Sequence, residues 1–285
     1  PLGDQDSFNG ADYLVPNSSL KDYVFDFIPN DYISLNNGIS LNSSGYSLSI
    51  WFNSNSFSAI QVLFTNATSD IKFVSIDNST TIRVRDGVNQ REYTVPTLNT
   101  GVWYNLIIVV DNGNCQVYLN SNVSSSSAQT VNQNWSIDAI NGYSNFHGGS
   151  FNFNGELSNA QIFNSALPAT GSNSIETLYN NGSPLTSMTG FTSLQGWWKL
   201  DASATYDGTD WTITAASSNS NNGTSSGMTQ ATLVQSDFSF TSGYSPYALD
   251  FDGANDYINI PSFMSNLPSN DIYTISTWIK TNSDT

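Results

Sequence analysis

Cationic and sulfur-bearing residues are scarce in this chain. Seven Lys and Arg residues stand against 23 Asp and Glu residues among 285, a net charge of −16. Nucleic acids and anionic membrane surfaces are bound through clustered cations, so this composition excludes both classes of partner. Cys115 is the one cysteine, so no intramolecular disulfide can form. No apolar run reaches the roughly 18 residues of a membrane-spanning helix, so we expect no membrane insertion.

The residues that most often carry acid–base chemistry are also few. His147 is the one histidine, and the glutamates are Glu92, Glu156 and Glu176. Zinc sites are built from several His and Cys side chains, and hydrolytic triads need a base such as His. Glycoside hydrolysis needs two carboxylates facing each other across the sugar. No such pair is marked in the sequence, and we expect the protein not to be an enzyme.

Patterns of β-strands dominate the chain. Polar and apolar residues alternate over 46–52 and 81–85, and residues 103–110 form a nearly continuous apolar run, typical of a strand covered on both faces. Asn112-Gly113 follows this run and predicts a tight hairpin. We expect Cys115 on the returning strand to be a small core residue. One short helix is predicted at 174–179, ending at Asn180-Asn-Gly182.

Three blocks of sequence recur in the same order, 224 to 227 residues apart. They pair Tyr23-Val-Phe-Asp-Phe27 with Tyr247-Ala-Leu-Asp-Phe251, Asn30-Asp-Tyr-Ile33 with Asn255-Asp-Tyr-Ile258, and Tyr46–Phe52 with Tyr273–Ile279. Such a period is too long for a solenoid repeat. It indicates whole domains in tandem.

The repeated blocks carry a family resemblance. Residues 248–258 followed by 273–278 resemble the opening of a laminin-G-like jelly-roll domain of the concanavalin A-like lectin/glucanase superfamily. Residues 101–120 resemble the central paired strands of that family, and 153–182 resemble its closing block. The resemblance implies an all-β fold, an antiparallel β-sandwich of the jelly-roll type. Its glucanase branch carries a Glu-x-Asp-x-x-Glu pattern, which this sequence lacks.

We expect two units. Leu194-Gln-Gly-Trp-Trp-Lys-Leu200 resembles the first strand of a new unit, and no counterpart precedes Tyr23. The first laminin-G-like unit is therefore assigned to residues 1–190, without its first strand. Residues 191–285 are assigned to the start of a second, incomplete unit, which should lean on the first unit, on a neighbouring chain or on further sequence.

Calcium is the one cofactor that the sequence suggests. Asp252, Asn255 and Asp256 offer three oxygen donors around a tight turn, and hard cations bind such groups. Related laminin-G-like and pentraxin-like domains hold calcium at loop tips. Asp26, Asn30 and Asp31 form the weaker equivalent in the first unit. The alternative is that these residues only shape a turn.

Aromatic residues in polar sequence are the candidate ligand-binding groups. Trp135, Tyr143 and Phe146 lie in Asn-rich sequence and could stack on a sugar, and Trp211 is similar. The alternative is that these rings anchor loops. Trp51, Trp103 and Trp278 lie in apolar strands and are expected in the core.

These features together favour a non-catalytic, surface-displayed binding or structural module. We expect it to bind glycans or other protein subunits, as part of an adhesin or a virion assembly, with a homo-oligomer or a neighbouring repeat as further partners. The expected location is extracellular, at a cell surface or at a virion surface. A glycan-degrading enzyme of the same fold and a pure scaffold remain the alternatives.

Overall fold

Two antiparallel sheets packed face to face form the body of the protein. The computed structural model describes residues 23–66, 69–142 and 151–236. These residues belong to one compact unit that ends at Ser242, and the repeat blocks at 247–279 lie outside them. The predicted β-sandwich is confirmed, whereas the expected second unit stays a prediction.

Sheet A contains nine of the described strands in the order β10-β9-β8-β3-β13-β1-β18, with β11 beside β9 and β14 beside β13. They are β1 (Tyr23–Phe27), β3 (Gly45–Ser54), β8 (Tyr104–Asp111), β9 (Asn114–Leu119), β10 (Asn122–Val123), β11 (Gln129–Thr130), β13 (Gly155–Phe163), β14 (Leu194–Trp198) and β18 (Leu233–Gln235). Its order departs from the chain order, which is characteristic of jelly-roll and Greek-key sandwiches.

Sheet B also contains nine described strands, in the order β15-β16-β17-β2-β12-β4-β5-β6-β7. They are β2 (Tyr32–Leu41), β4 (Gln61–Asn66), β5 (Ser69–Asn78), β6 (Thr81–Asp86), β7 (Gln90–Thr94), β12 (Trp135–Ile140), β15 (Thr205–Tyr206), β16 (Trp211–Ile213) and β17 (Gly223–Ser226). In β6 the buried and half-buried residues alternate, as expected for a strand with one face on the core.

The main core lies between the sheets, and the predicted interior is largely confirmed. The side chains predicted to be buried that are so in the structure are Phe25, Phe27, Trp51, Ile107, Val109, Val117 and Leu119. Trp103 is only half-buried, because it precedes the first residue of β8 and lies against the cluster around Trp51. Cys115 is fully buried, and this burial raises the pKa of its thiol to about 12. The prediction of a core cysteine is therefore correct.

The predicted hairpin and helix are both present. Asn112 and Gly113 connect β8 to β9 with φ values of 46° and 73°, the left-handed conformation that this turn requires. Helix α1 (Ile175–Tyr179) begins after Ser174, whose hydroxyl accepts a hydrogen bond from the Thr177 amide, and ends at Asn180 in the left-handed conformation. The segment 164–193 that contains α1 packs its apolar residues on the outer face of sheet A.

Residues 194–236, which we call the closing segment, contribute strands to both sheets. β14 pairs with β13, β17 pairs with β2, and β18 pairs with β1. Trp198 is fully buried in the main core, where its indole N–H donates to the carbonyl of Asn221 at 2.8 Å. The domain boundary expected between residues 190 and 191 is therefore wrong, since the described part of the closing segment leans on the first unit and belongs to the same sandwich.

Candidate functional site

The tryptophans expected to be exposed are buried. Trp135 is 4% exposed and its ring packs in the main core, where the indole N–H donates to the hydroxyl of Tyr46 at 3.2 Å. Trp211 is also 4% exposed, and its ring lies 5.2 Å from that of Phe25. Neither ring offers a face to a sugar. Tyr143 and Phe146 lie outside the described residues, and their role stays a prediction.

The candidate calcium ligands Asp252, Asn255 and Asp256 also lie outside the described residues. In the equivalent turn of the first unit, Asp31 is 2% exposed and its carboxylate accepts a hydrogen bond from the Ile28 amide at 3.0 Å. Burial raises the pKa of Asp31 and of Asp26 above the usual range of aspartate. Within residues 23–66, 69–142 and 151–236, no three His, Cys, Asp or Glu side chains are grouped as metal ligands.

A pair of carboxylates lies on the outer face of sheet B. One guanidinium nitrogen of Arg83 contacts the carboxylate of Asp77 and lies 3.3 Å from that of Glu92. Burial raises the pKa of Asp77, and this effect outweighs its hydrogen bond from Ser75 and its attraction to Arg83. A guanidinium held between two carboxylates is an ion-pair arrangement that leaves no room for a sugar ring between them. We therefore do not assign this cluster to catalysis.

An open groove of about 440 Å³ lies beside β14, between the segment 186–194 and the loop 216–218. We call it the hydroxyl groove. Six of its lining side chains carry hydroxyl groups, namely Thr186, Ser187, Thr189, Thr192, Ser217 and Ser218. The others are apolar, namely Met188, Phe191, Leu194, Trp197 and Ala216. No charged side chain lines it, so it offers a neutral surface in a strongly acidic protein.

Trp197 is held rigidly at the floor of the groove. Its indole N–H donates to the side-chain oxygen of Asn159 at 2.9 Å, and the ammonium of Lys199 lies 4.9 Å from the centre of its ring. A cation over an indole face is an attractive arrangement. Trp197 is only 4% exposed, so its ring forms an apolar floor but leaves little ring surface for a ligand to contact.

Backbone hydrogen bonds fix each wall of the groove. The amide of Ala216 donates to the carbonyl of Trp197 at 2.7 Å, which joins the loop 216–218 to β14. On the other wall, the Phe191 amide donates to the carbonyl of Met188 at 3.1 Å, and the Phe191 ring packs against Phe163 at 5.6 Å. Thr186, Ser187, Thr189, Thr192 and Ser218 are exposed, so their hydroxyls can meet a ligand.

Sequence reasoning missed this groove. Its hydroxyl residues come from two stretches about 30 positions apart: one directly precedes β14, and the other is joined to β14 by the hydrogen bond from the Ala216 amide to the Trp197 carbonyl. The Trp197-Trp198 pair was recognised as a strand, but nothing local distinguishes the ring at the groove from the ring in the core. Among the described residues, no helix is long and apolar enough to cross a membrane.

The laminin G type 3 family model, described as concanavalin A-like lectin/glucanases superfamily, matches residues 29–171, half of the chain. The chain belongs to this superfamily. The family suggested by residues 101–120 and 153–182 is thereby confirmed. No curated protein matches the chain.

Several solved structures align with this chain at low sequence identity. A presumed carbohydrate-binding protein from Bacteroides ovatus aligns with a TM-score of 0.59 and 19% identity, over 76% of this chain and 61% of its own, so this chain spans less than two thirds of that protein. The heptameric SAP-like pentraxin of Limulus polyphemus aligns with a TM-score of 0.44 and 14% identity, over 57% and 82%. A Trypanosoma rangeli sialidase gives 0.40 and 11%, over 58% and 33%. At 19% identity, the Bacteroides structure supports the fold alone.

Proposed function

We propose that this protein is a non-catalytic module that binds neutral glycans in the hydroxyl groove. The observation that carries the proposal is the lining of that groove, exposed Ser and Thr hydroxyls around an apolar floor with no charged side chain. Sugars present hydroxyl groups at their edges and C–H groups on their faces. Ser and Thr hydroxyls both donate and accept hydrogen bonds, so they can match either role of a sugar hydroxyl.

The charge of the protein favours a neutral ligand over an acidic one. The chain carries a net charge of −16, which repels uronates and sulfated sugars at long range. The ammonium of Lys199, two residues after Trp197, lies over the Trp197 ring, 4.9 Å from its centre. The groove therefore has no free cation to pair with a sugar carboxylate among its lining residues.

The proposal that the module is not an enzyme rests on the same lining. Glycoside hydrolysis needs a proton donor and a facing carboxylate at a fixed separation. No Asp or Glu lines the groove. The buried carboxylate of Asp77 and the carboxylate of Glu92 both contact Arg83, and this cluster lies in sheet B, away from the groove.

The function of the Bacteroides protein, presumed carbohydrate binding, agrees with the binding class that we propose here.

Our proposal also includes display outside the cell, on a cell surface or on a virion, where the module would serve adhesion. The support is compositional. Only 11% of the residues are charged and the polar surface is supplied mainly by Ser, Thr and Asn. One cysteine, buried in the core, leaves the fold independent of the redox state of its surroundings.

The test is retention on gels that carry neutral polysaccharides, β-glucans and galactans, with alginate as the acidic comparison. Thr192→Arg combined with Ser218→Arg should block the groove, because both residues are exposed at its rim. We expect this variant to lose at least ten-fold in retention. The matched control, Thr212→Arg combined with Ser127→Arg, alters exposed positions away from the groove and should bind like the wild type.

Retention that survives the blocked groove would refute the groove as the site, and retention on no gel at all would refute glycan binding. The eluates are also assayed for new reducing ends, whose appearance would refute the non-catalytic assignment. Each run is repeated with calcium and with EDTA. Retention that depends on calcium in the wild type and is lost in Asp252→Asn or Asp256→Asn would support the proposed calcium turn.

A further inference from the structure

The edge of sheet B formed by β5, β6 and β7, which we call the basic edge, concentrates positive charge. It holds four of the seven Lys and Arg residues of the chain, namely Lys72, Arg83, Arg85 and Arg91. Residues 69–94 carry four cations and four carboxylates, so the net charge of −16 belongs entirely to the rest of the chain. Arg83 is paired with Asp77 and Glu92, and within the described residues no carboxylate pairs with the other three cations.

The turn between β6 and β7 projects an apolar side chain beside these cations. Val88 in this turn is 78% exposed. The turn is held firmly, since the buried Asp86 carboxylate accepts hydrogen bonds from the Val88 and Asn89 amides at 3.0 and 2.6 Å. The Lys72 side chain lies beside Gly87 in the same turn. The basic edge therefore ends in a fixed apolar tip with a cation next to it.

The opposite edge of sheet B, formed by β15 and β16, is acidic, and we call it the acidic edge. Asp207 and Asp210 lie in the turn between these strands, and Asp201 precedes β15. None of the three forms an ion pair within the described residues, and residues 200–236 contain no Lys or Arg. The Asp207 carboxylate fixes the turn by accepting hydrogen bonds from the amides of Thr209 and Asp210 at 2.8 and 2.9 Å. This edge presents negative charge alone.

One row of paired residues connects the two edges. It runs from Thr205 in β15 across the described strands of sheet B to Arg85 in β6 and Gln90 in β7. Neighbouring strands along this row are antiparallel, so β15 and β7, the first and ninth strands, have the same sense. Asp207 lies two residues beyond Thr205, and Arg91 lies one residue beyond Gln90. Opposite charges therefore lie at similar heights along the two edge strands.

Contact between such edges is made by side chains. The open side of the β7 backbone is already occupied, because the Glu92 carbonyl accepts from the Gln129 side chain at 2.7 Å and the Thr94 amide donates to the hydroxyl of Ser126 at 2.8 Å. Strand β15 has only two residues. Edges of this kind resist the addition of a strand through backbone hydrogen bonds. Their charged side chains remain accessible.

We propose that the basic edge docks on the acidic edge of a second copy of the chain, in a head-to-tail contact. The net charge of −16 repels two copies at long range, but the Debye length is only about 8 Å at physiological ionic strength. Charges in contact across the two edges lie within that distance, so their attraction survives while the more distant repulsion is screened. This proposal does not rest on glycan binding.

The contact uses a different edge on each copy, so it leaves one edge of each kind free. Such heterologous contacts extend into rings or filaments. The twist of the sheet rotates one edge relative to the other, so successive copies are also rotated. Exposed ion pairs are individually weak. We therefore expect association at high protein concentration, as when many copies are held side by side.

The experiment exchanges the charges of the two edges in the full chain. The first variant, Arg85→Glu with Val88→Glu and Gln90→Glu, changes the charge of the basic edge by −2, −1 and −1 and keeps the hydrogen bonds of Arg91. The second variant, Asp207→Asn with Thr209→Lys and Asp210→Arg, changes the charge of the acidic edge by +1, +1 and +2. Asn keeps a side-chain oxygen that can accept the hydrogen bonds of the turn. Association is measured by sedimentation velocity in 0.15 M NaCl.

The wild type should associate reversibly as its concentration rises. Each variant alone should associate at least ten-fold more weakly, because its two edges then carry charge of the same sign. An equimolar mixture of the two variants should recover association, since each edge again meets its opposite. A wild type that stays monomeric up to millimolar concentration would overturn the proposal. A mixture that associates no better than its components would do the same, and a misfolded variant could not produce the recovery.

Salt and a matched control separate the edges from the net charge. In 1 M NaCl the Debye length falls to about 3 Å, so association of the wild type should weaken several-fold. Association that is indifferent to salt would contradict the role of charge. The control places four glutamates at exposed positions of the segment 164–193, away from both edges, namely Asn164→Glu, Ala169→Glu, Thr170→Glu and Ser172→Glu. It should associate like the wild type, and a loss equal to that of the first variant would refute the assignment to the edges.

Discussion

The outer face of sheet A is apolar and buried, whereas the outer face of sheet B is mainly polar. On sheet A, Trp51, Ile107 and Val109 point away from the main core and are covered by the segment 164–193 and its helix α1. On sheet B, Arg83 and Thr224 occupy equivalent outward positions and remain accessible. The sandwich is therefore two layers thick on one side of its core, where the segment 164–193 covers sheet A, and one layer thick on the other.

This difference shows that each of the two surroundings has its own strand pattern. A nearly continuous apolar run, such as β8, belongs to a strand covered on both faces, and the alternating pattern of β6 belongs to one with a solvated face. The two sheets should therefore respond differently to substitution at outward positions. Substitutions in the two sheets should accordingly differ in their cost, from the apolar outer face of sheet A to the buried and then the outward polar groups of sheet B.

Trp51→Ala should be the most destabilising outward substitution. The Trp51 ring is 2% exposed and stacks on Tyr179 with ring centres 5.8 Å apart, so its loss leaves a cavity beneath α1. We expect the free energy of unfolding, measured by chemical denaturation, to fall by about 3–5 kcal/mol. Thr224→Ala, outward on sheet B, should change it by less than about 0.5 kcal/mol. Similar losses for both variants would remove the contrast between the two faces.

Asp86→Asn should be the most destabilising polar substitution in sheet B. The Asp86 carboxylate accepts hydrogen bonds from the Val88, Asn89 and Gln133 amides and from the Asn89 side chain. Burial raises the pKa of Asp86, but these four donors outweigh burial and lower the pKa below the usual 3.8. We expect a loss of about 2–3 kcal/mol at pH 7.

The pH dependence of the Asp86 effect has a definite sign. A carboxyl group with a lowered pKa contributes stability above its unfolded pKa and loses it as the pH falls through the folded pKa. The difference between wild type and Asp86→Asn should therefore be full above about pH 4 and shrink below it. Asp111→Asn, at the exposed end of β8, is the control and should stay within about 0.5 kcal/mol. A difference that does not vary with pH would contradict the role of the charge.

Arg83→Gln should cost less, about 1–2 kcal/mol at pH 7, because it leaves the buried Asp77 carboxylate without its cation. The Asp77 side chain is 6% exposed, and its pKa is already raised by burial. The loss should be small below the usual aspartate pKa, where Asp77 is protonated, and should grow as the pH rises. Glu92→Gln should cost at most about 0.5 kcal/mol, since the Glu92 side chain is 53% exposed. A larger loss for Glu92→Gln than for Arg83→Gln would reverse this assignment.

Local patterns in the sequence were sufficient for much of the fold. The β8–β9 turn followed from Asn112-Gly113, and α1 followed from its apolar spacing and the terminating Asn180. The polar neighbourhood of Trp135 predicts an exposed ring, but the structure follows the alternation of Trp135-Ser-Ile-Asp138, which places Trp135 and Ile137 on one buried face. That alternation was visible in the sequence and could have identified the buried ring.

The closing segment and the hydroxyl groove depend on contacts that no local pattern encodes. Residues 194–200 resemble the first strand of a unit. That resemblance does not tell which of the two repeats they pair with. Their position was decided by the free edges of β13, β2 and β1. The groove exists because the hydrogen bond between Ala216 and Trp197 holds the loop 216–218 beside β14. Only the tertiary structure shows this contact.

The pairing of β1 with β18 also has a consequence for synthesis. Tyr23 leaves the ribosome 212 residues before its partner Gln235. At about 5–20 residues per second, the edge of β1 waits roughly 10–40 s for that partner. During this interval the edge can pair with nascent chains on neighbouring ribosomes, so we expect the yield of folded protein to depend on translation speed and on chaperone supply.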